Sequence, residues 1–130
     1  LAARITLRTS AGLCALPGPD RPPYDLILCN PPYVNAQSMA ALPAEYRAEP
    51  EMALSGTMAG GTDGMDFVRQ LLSDAPSRMS ERAVLVLEIG NEREHFEAAF
   101  PTLEAVWLDT SAGEDQVLLL TREAIEIGCP

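Results

Sequence analysis

The chain has 130 residues, of which 47% are hydrophobic, and this is enough for one domain with a modest core. No apolar run approaches the roughly 18 residues that a membrane-spanning helix needs, so no membrane association is predicted. The formal charge of −10, from 19 acidic and 9 basic residues, opposes direct binding to nucleic acid and favours a basic protein or a cationic small molecule as partner.

The three cysteines, Cys14, Cys29 and Cys129, are widely spaced and form neither a metal-binding pattern nor a disulfide framework. They predict free thiols in a reducing cytoplasm, which is the predicted location. The single histidine, His95, stands in a charged stretch and is interpreted as a solvated helix residue rather than a base or a ligand. The sequence therefore predicts no metal site.

The first predicted elements are two strands separated by a proline-rich loop. Residues 5–8 favour a short strand, and residues 17–23 form the loop. Residues 24–29 are apolar except for Asp25, which is typical of a strand buried on both faces of a parallel sheet. A long segment over 34–61 follows, and its length predicts a functional loop such as a lid.

A helix is predicted after this loop. Asp63 is its expected cap, and Pro76 ends or kinks it. Its apolar side chains recur at helical spacing on one face, which predicts that this face is buried: Met65, Val68, Leu71, Leu72 and Ala75.

The last third of the chain predicts three strands and one short helix. Residues 83–89 form an apolar strand, and Asn91 with Glu94 resembles a capping box for the helix that follows. The helix is expected to bury Phe96, Ala99 and Phe100. Residues 105–108 and 116–121 are the final strands, joined by a hairpin-like loop.

Strands and helices alternate along most of the chain, and this order predicts an α/β fold built on a sheet with parallel strands. The closing pair of strands has no helix between its members. It therefore predicts one antiparallel strand at the edge of the sheet.

The run Asn30-Pro31-Pro32-Tyr33 directly follows the strand over 24–29. Neither proline has a backbone N–H, so the ladder must stop there and present polar groups at the carboxyl end of the strand, where such folds place their chemistry. The Asn30 side-chain oxygen and the Pro31 carbonyl are two rigid acceptors that suit the N–H bonds of an NH2 group. The Tyr33 ring offers a flat face against which a planar group can stack.

Two interpretations of this run remain open from the residues alone. Asparagine and proline are ordinary turn formers, so the run can simply end a strand. Alternatively it binds a planar group that carries NH2, which is either a carboxamide or the exocyclic amine of a base. Glu88, within the strand over 83–89, is similarly either a support for the site or an ordinary edge residue.

Residues 25–34 resemble the motif that amino-methyltransferases dependent on S-adenosylmethionine carry after their fourth strand, and most closely that of the protein N5-glutamine methyltransferases. Residues 42–51 are similar to the branch that modifies large-subunit ribosomal protein three. Further matches with the family cover nearly the whole chain: residues 63–67, 87–91, 107–108 and 117–121.

The resemblance implies a class I, Rossmann-like methyltransferase sheet. Residues 1–130 are expected to form the C-terminal part of its catalytic domain, with the family's fourth, fifth, seventh and sixth strands adjacent in that order. The family's glycine-rich cofactor loop, its ribose-binding acidic residue and its N-terminal helical domain are not found in these residues. The sheet is therefore expected to be incomplete, and about 20 residues at the start are expected to be displaced, disordered or paired with another chain.

The resemblance also implies methyl transfer from S-adenosylmethionine to a glutamine side-chain amide of a basic ribosomal protein. Asn30 and Pro31 would accept the amide N–H bonds, Tyr33 would pack on the amide plane, and these three would be catalytic. Pro32 and Glu49 would help to bind the substrate, and Asn30 would also contact the cofactor. Where the family usually has an acidic residue near adenine, this chain has Ala11.

Three alternatives accompany this interpretation. The protein is a release-factor glutamine methyltransferase, or a DNA adenine-N6 methyltransferase, or a non-catalytic interaction module. The negative charge argues against the DNA enzyme. Without the cofactor loop, these 130 residues are expected to be inactive alone and to associate through an exposed strand.

Overall fold

The structure is a computed structural model, and it describes residues 4–10, 12–13, 23–33, 63–111 and 113–129. These ranges form one four-stranded mixed sheet in the order β1-β2-β4-β3. Strand β1 is parallel to β2, whereas β4 is antiparallel to both of its neighbours. In chain order the elements are β1 (Tyr24–Cys29), α1 (Asp66–Asp74), a 3-10 helix (Ala75–Arg78), β2 (Met79–Glu88), α2 (Arg93–Ala99), β3 (Val106–Thr110), β4 (Gly113–Thr121) and α3 (Arg122–Gly128).

The core lies on one face of this sheet. Leu85 and Leu87 on β2 pair with Leu120 and Leu118 on β4, and all four side chains are fully buried. Every residue of the predicted apolar face of α1 is buried in the same core, so that prediction is confirmed. Two further helices complete the core with one fully buried side chain each, Phe96 from α2 and Ile125 from α3.

The opposite face of the sheet is apolar as well, but it lies outside the core. Leu26 and Leu28 on β1 are 52% and 71% exposed, and Val106 on β3 is 58% exposed. Between them, Val86 and Leu119 face each other on β2 and β4 and are half-buried. Among the described residues, the fully buried side chains of these strands therefore belong to one face only.

Two strand predictions are wrong. Residues 5–8 form no strand and pair with none of the described strands; Leu7 is 92% exposed. Strand β1 is not buried on both faces, because it pairs only with β2 and forms one edge of the described sheet. Alternate side chains of an edge strand are left uncovered when only one face is packed.

The α/β class is confirmed, but the antiparallel strand is not at the edge. Strand β4 lies between β2 and β3, and β3 forms the edge. Strand β4 has two fully buried leucines, Leu118 and Leu120, whereas every residue of β3 keeps some exposure. The more deeply buried strand is the interior one, in the order that the family resemblance implies.

The helix ends differ in detail from the predictions. The N-cap of α1 is Met65 rather than Asp63, and the N-cap of α2 is Glu92 rather than Asn91. The Asn91 side chain instead accepts a hydrogen bond from Gln116 on β4. Pro76 lies in the 3-10 turn directly after α1, as its role as a helix stop predicted.

Helix α3 was not predicted at all. Its N-cap is Thr121, the last residue of β4, whose side-chain oxygen accepts the backbone N–H of Ala124 at 3.1 Å. Threonine at this position with Glu123 in the first turn is a helix-start signal, but the preceding apolar strand masks it. Within the described part of the chain, no helix is long and apolar enough to cross a membrane.

Asp63 still organises the start of α1, although it is not the N-cap. Its Oδ1 atom accepts the backbone N–H of Met65 at 3.0 Å and one N–H of the Arg69 guanidinium at 3.0 Å. The second Asp63 oxygen accepts the other guanidinium arm. Hydrogen bonding from Arg69 is the main cause that lowers the pKa of Asp63 to about 2 from 3.8.

Replacing Asp63 with Asn is expected to lower the free energy of unfolding by about 1 kcal/mol at neutral pH, because partly exposed ion pairs contribute little more than that. The pKa of Asp63 is depressed in the folded state, so its contribution is present above the unfolded value of 3.8 and is lost as the pH falls towards 2. Urea titrations of both proteins between neutral and acid pH measure this.

The control is Asp74→Asn, because the Asp74 side chain accepts only from the neutral amide of Gln70 among the described contacts. This variant should lose less stability at neutral pH than the Asp63 variant. A difference between wild type and Asp63→Asn that stays constant down to acid pH would contradict the assigned ion pair.

Candidate active site at the end of strand β1

The predicted motif lies where the carboxyl ends of β1 and β2 meet. Cys29, the last residue of β1, is in register with Leu87, one residue before the end of β2. The two strands are parallel, so residues that follow them emerge at the same edge of the sheet. The motif Asn30–Tyr33 is therefore adjacent to Glu88 and to the turn that follows β2.

The four motif residues differ in exposure. Asn30 is exposed, Pro31 is buried, and Pro32 and Tyr33 are half-buried. This arrangement leaves the Asn30 amide accessible to a ligand from solvent, while the residues after it anchor the turn to the protein. The fifth predicted site residue, Glu49, lies outside the described residues, as does the predicted lid over 34–61.

The Tyr33 ring lies against the turn after β2. Its hydroxyl is 3.4 Å from Glu88 Oε1, and the same carboxylate oxygen accepts the Gly90 backbone N–H at 2.8 Å. Gly90 has a positive φ of 54°, and a Cβ atom added there would lie 2.8 Å from the Tyr33 hydroxyl oxygen. Gly90 is thus required both by its backbone conformation and by the closeness of the ring.

Neither role was assigned from the sequence. The sequence leaves Glu88 open as a support or an edge residue, and it predicts no role for Gly90. A glycine directly after a strand is a usable signal, since it marks a turn or a close approach of another group. The partner in that close approach, Tyr33, is far away in the sequence and could not be read from the turn alone.

Cys29, the cysteine at the end of β1, offers no nucleophile to this site. Burial raises the pKa of the Cys29 thiol above its usual 9.0, so it stays protonated at neutral pH. Cys29 and Cys129 are free, as predicted, and Cys14 lies outside the described residues. No group of three metal-ligating side chains occurs among the residues described. His95 is on α2, with its Nδ1 atom 2.6 Å from Glu92 Oε2, and is half-exposed there.

A cleft of about 620 Å³ opens elsewhere, beside α2 and β3. Its apolar lining includes Phe96, Phe100 and Trp107, and the Arg93 guanidinium stacks over the Trp107 ring at 4.4 Å. None of the predicted site residues that the structure describes, Asn30–Tyr33, lines it. Among the described residues, the candidate site is an edge of the sheet that presents one amide and one aromatic ring, groups that suit a planar polar ligand.

Comparison with known proteins agrees with the family resemblance seen in the sequence. The chain is 59% identical over 122 residues to the ribosomal protein uL3 glutamine methyltransferase of Bordetella pertussis. These 122 residues are 94% of this chain and 39% of that protein. The protein of the same name from Burkholderia pseudomallei is 61% identical over 97 residues, or 75% of this chain and 30% of its own length.

A third relative, from Neisseria gonorrhoeae and with the same name, is 50% identical over 102 residues, or 78% of this chain. No family model matches the chain. The chain spans between 30% and 39% of the length of these three curated relatives. The resemblance predicted from the motifs is confirmed by these matches.

Proposed function

Because this chain belongs to the family of the ribosomal protein glutamine methyltransferases, we propose that the whole protein methylates a glutamine side chain of ribosomal protein uL3. The methyl donor in this proposal is S-adenosylmethionine. One observation carries it: an exposed Asn30 amide at the end of β1, followed by Pro31, in a chain 59% identical to such a protein. We also propose that the four strands form part of a Rossmann-like sheet.

The chemistry that this edge must perform is methylation of a weak nucleophile. An amide nitrogen shares its lone pair with the carbonyl, so it attacks only when that lone pair is oriented and the developing positive charge is stabilised. Asn30 Oδ1 and the Pro31 carbonyl would accept the two N–H bonds of the glutamine amide and provide both effects. S-Adenosylmethionine, when bound, supplies an electrophilic methyl carbon on a sulfonium.

In the transfer, the nitrogen–carbon bond forms as the carbon–sulfur bond breaks, and the sulfonium becomes a neutral thioether. The extra proton on nitrogen leaves to water afterwards, so no strong base is required beforehand. The exposed Asn30 fits a residue that contacts both substrate and cofactor. Tyr33 would pack on the amide plane next to it, with Pro32 holding the turn, and Glu49 would bind substrate from the loop over 34–61.

The test is a methylation assay with the full-length protein, S-adenosylmethionine and purified uL3. We expect one added methyl group on a glutamine of uL3, located by mass spectrometry of the digested product. Release factor and an adenine-containing DNA duplex are offered in parallel. Methylation of either one instead of uL3 would overturn the proposed substrate, and no transfer to any of the three would overturn the proposed activity.

The acidic composition of the chain predicts that the rate of methylation of uL3 depends on salt concentration. With a formal charge of −10 on this chain alone, the protein should attract a basic ribosomal protein by long-range electrostatics. We expect kcat/KM for uL3 to fall by about tenfold as salt rises from roughly 0.05 M to 0.5 M. The value of kcat at saturating substrate should change much less.

An uncharged peptide that contains the target glutamine is the control for this salt effect. Its kcat/KM should be nearly constant over the same salt range, because it carries no charge for the protein field to act on. An equal decrease for peptide and protein would show that salt acts on the site itself, and a flat profile for uL3 would rule out steering by the acidic surface.

A further inference from the structure

The Tyr33 ring is held by two groups that are more than fifty positions away in the sequence. Glu88 ends β2 and is half-buried, and its Oε1 atom is shared between the Gly90 N–H at 2.8 Å and the Tyr33 hydroxyl at 3.4 Å. The shorter of these bonds fixes the turn, and the longer one ties the ring to it. Both bonds use the same carboxylate oxygen, so moving that carboxylate disturbs the turn and the ring together.

The lack of a side chain at Gly90 leaves the space that the Tyr33 ring occupies. A Cβ atom at this position would lie 2.8 Å, 3.0 Å and 3.1 Å from the Oη, Cε2 and Cζ atoms of Tyr33. The first of these distances is shorter than real contacts allow, and the Tyr33 ring is rigid. The absence of a side chain at residue 90 is therefore what lets the ring occupy this place.

We propose that Glu88 and Gly90 are positioning residues, which together hold the Tyr33 ring in place beside Asn30. The position of the ring then sets the plane on which the side-chain amide of the substrate glutamine packs. This inference rests on the methyl transfer proposed above. Two prolines with a fixed φ separate Asn30 from Tyr33, so a shift of the backbone that carries the ring also shifts the Asn30 and Pro31 groups. Misplacement of a reacting group by about 1 Å is enough to lower a rate about a hundredfold.

The experiment uses the full-length protein with 13C-labelled tyrosine, and the Tyr33 signals are identified by their loss in Tyr33→Phe. Glu88→Ala and Gly90→Ala should each move or broaden the Tyr33 ring signals. Each should lower kcat for glutamine methylation by about tenfold or more, with the KM for S-adenosylmethionine nearly unchanged. Glu88→Gln retains a side-chain oxygen acceptor and should recover most of the rate.

Two matched controls are available in the chain. Glu81 is exposed on the same strand, β2, so Glu81→Ala removes a glutamate without touching the turn. Gly113 also has a positive φ, of 151°, but an added Cβ atom there would meet the flexible side chain of Gln116 at 3.2 Å. Both control variants should leave the Tyr33 signals and kcat as in the wild type.

Combining variants separates positioning from general destabilisation. In a Tyr33→Phe background, Glu88→Ala should lose part of its own effect on kcat, because the hydroxyl contact is already gone. Unchanged Tyr33 signals in Glu88→Ala and Gly90→Ala would overturn the inference. An equal loss of kcat from Glu88→Ala in the wild-type and Tyr33→Phe backgrounds would overturn it as well. A wild-type protein that methylates nothing would overturn the proposed function instead. The Tyr33 signals would still test whether Glu88 and Gly90 position the ring.

Discussion

Replacing Asn30 with Ala is expected to lower kcat for glutamine methylation by about a hundredfold or more. The substitution removes one of two groups that orient the amide and stabilise its developing charge, and loss of one such group in other enzymes costs about 10²–10³ in rate. Asn30 is exposed, so the free energy of unfolding should change by no more than about 0.5 kcal/mol. Steady-state kinetics and urea titration of the same preparations measure both quantities.

A comparison of two further substitutions tests the reason for this loss. Asn30→Asp retains an oxygen that accepts hydrogen bonds, so it should lose less activity than Asn30→Ala. Asn91→Ala removes an exposed asparagine whose Oδ1 atom accepts from Gln116 at 3.3 Å, and it should stay close to wild type. If Asn30→Ala keeps wild-type kcat, the exposed amide is only a turn former and the proposed acceptor site is wrong.

The features that could be predicted from the sequence are those set by neighbouring residues. Strand β1 has the predicted bounds, Tyr24–Cys29, because two prolines block the ladder directly after Asn30. The helical spacing of Met65, Val68 and Leu72 identified the buried face of α1, since side chains three and four positions apart share one side of a helix. Both signals depend on short stretches of chain.

The features that could not be predicted depend on which elements become neighbours. The composition of residues 24–29 suggested burial on both faces, but Leu26 and Leu28 are exposed because β1 has a neighbour on one side only in the described sheet. The interior position of β4 likewise depends on which strands become neighbours. No local pattern in Gly113–Thr121 states that it will separate β2 from β3.

The candidate site also combines features that local sequence predicts with features that depend on which elements become neighbours. The position of Asn30–Tyr33 directly after a strand follows from local sequence, and β1 does end at Cys29. The contacts of Glu88 and Gly90 with the Tyr33 ring do not follow from local sequence, because these residues reach the ring only through the parallel pairing of β1 with β2. A sequence can thus reveal the groups that meet a substrate before it reveals the groups that hold them in place.

Leu118→Ala is expected to lower the free energy of unfolding by about 2–5 kcal/mol, the largest stability effect that we predict. Leu118 is fully buried on β4, where it pairs with Leu87 on one side and with Trp107 on the other. Truncation removes buried apolar surface and leaves a cavity in the core against this face of the sheet, which the paired strands cannot close. Urea titration followed by circular dichroism measures the loss.

The next residue along β4 is the matched control. Leu119 is the same residue type on the same strand, but it points to the other face of the sheet and is half-buried. Leu119→Ala should therefore cost clearly less, because the lost side chain was already partly in contact with solvent. Equal losses for the two leucines would mean that both faces of β4 are packed alike, which would contradict a core confined to one face of the described sheet.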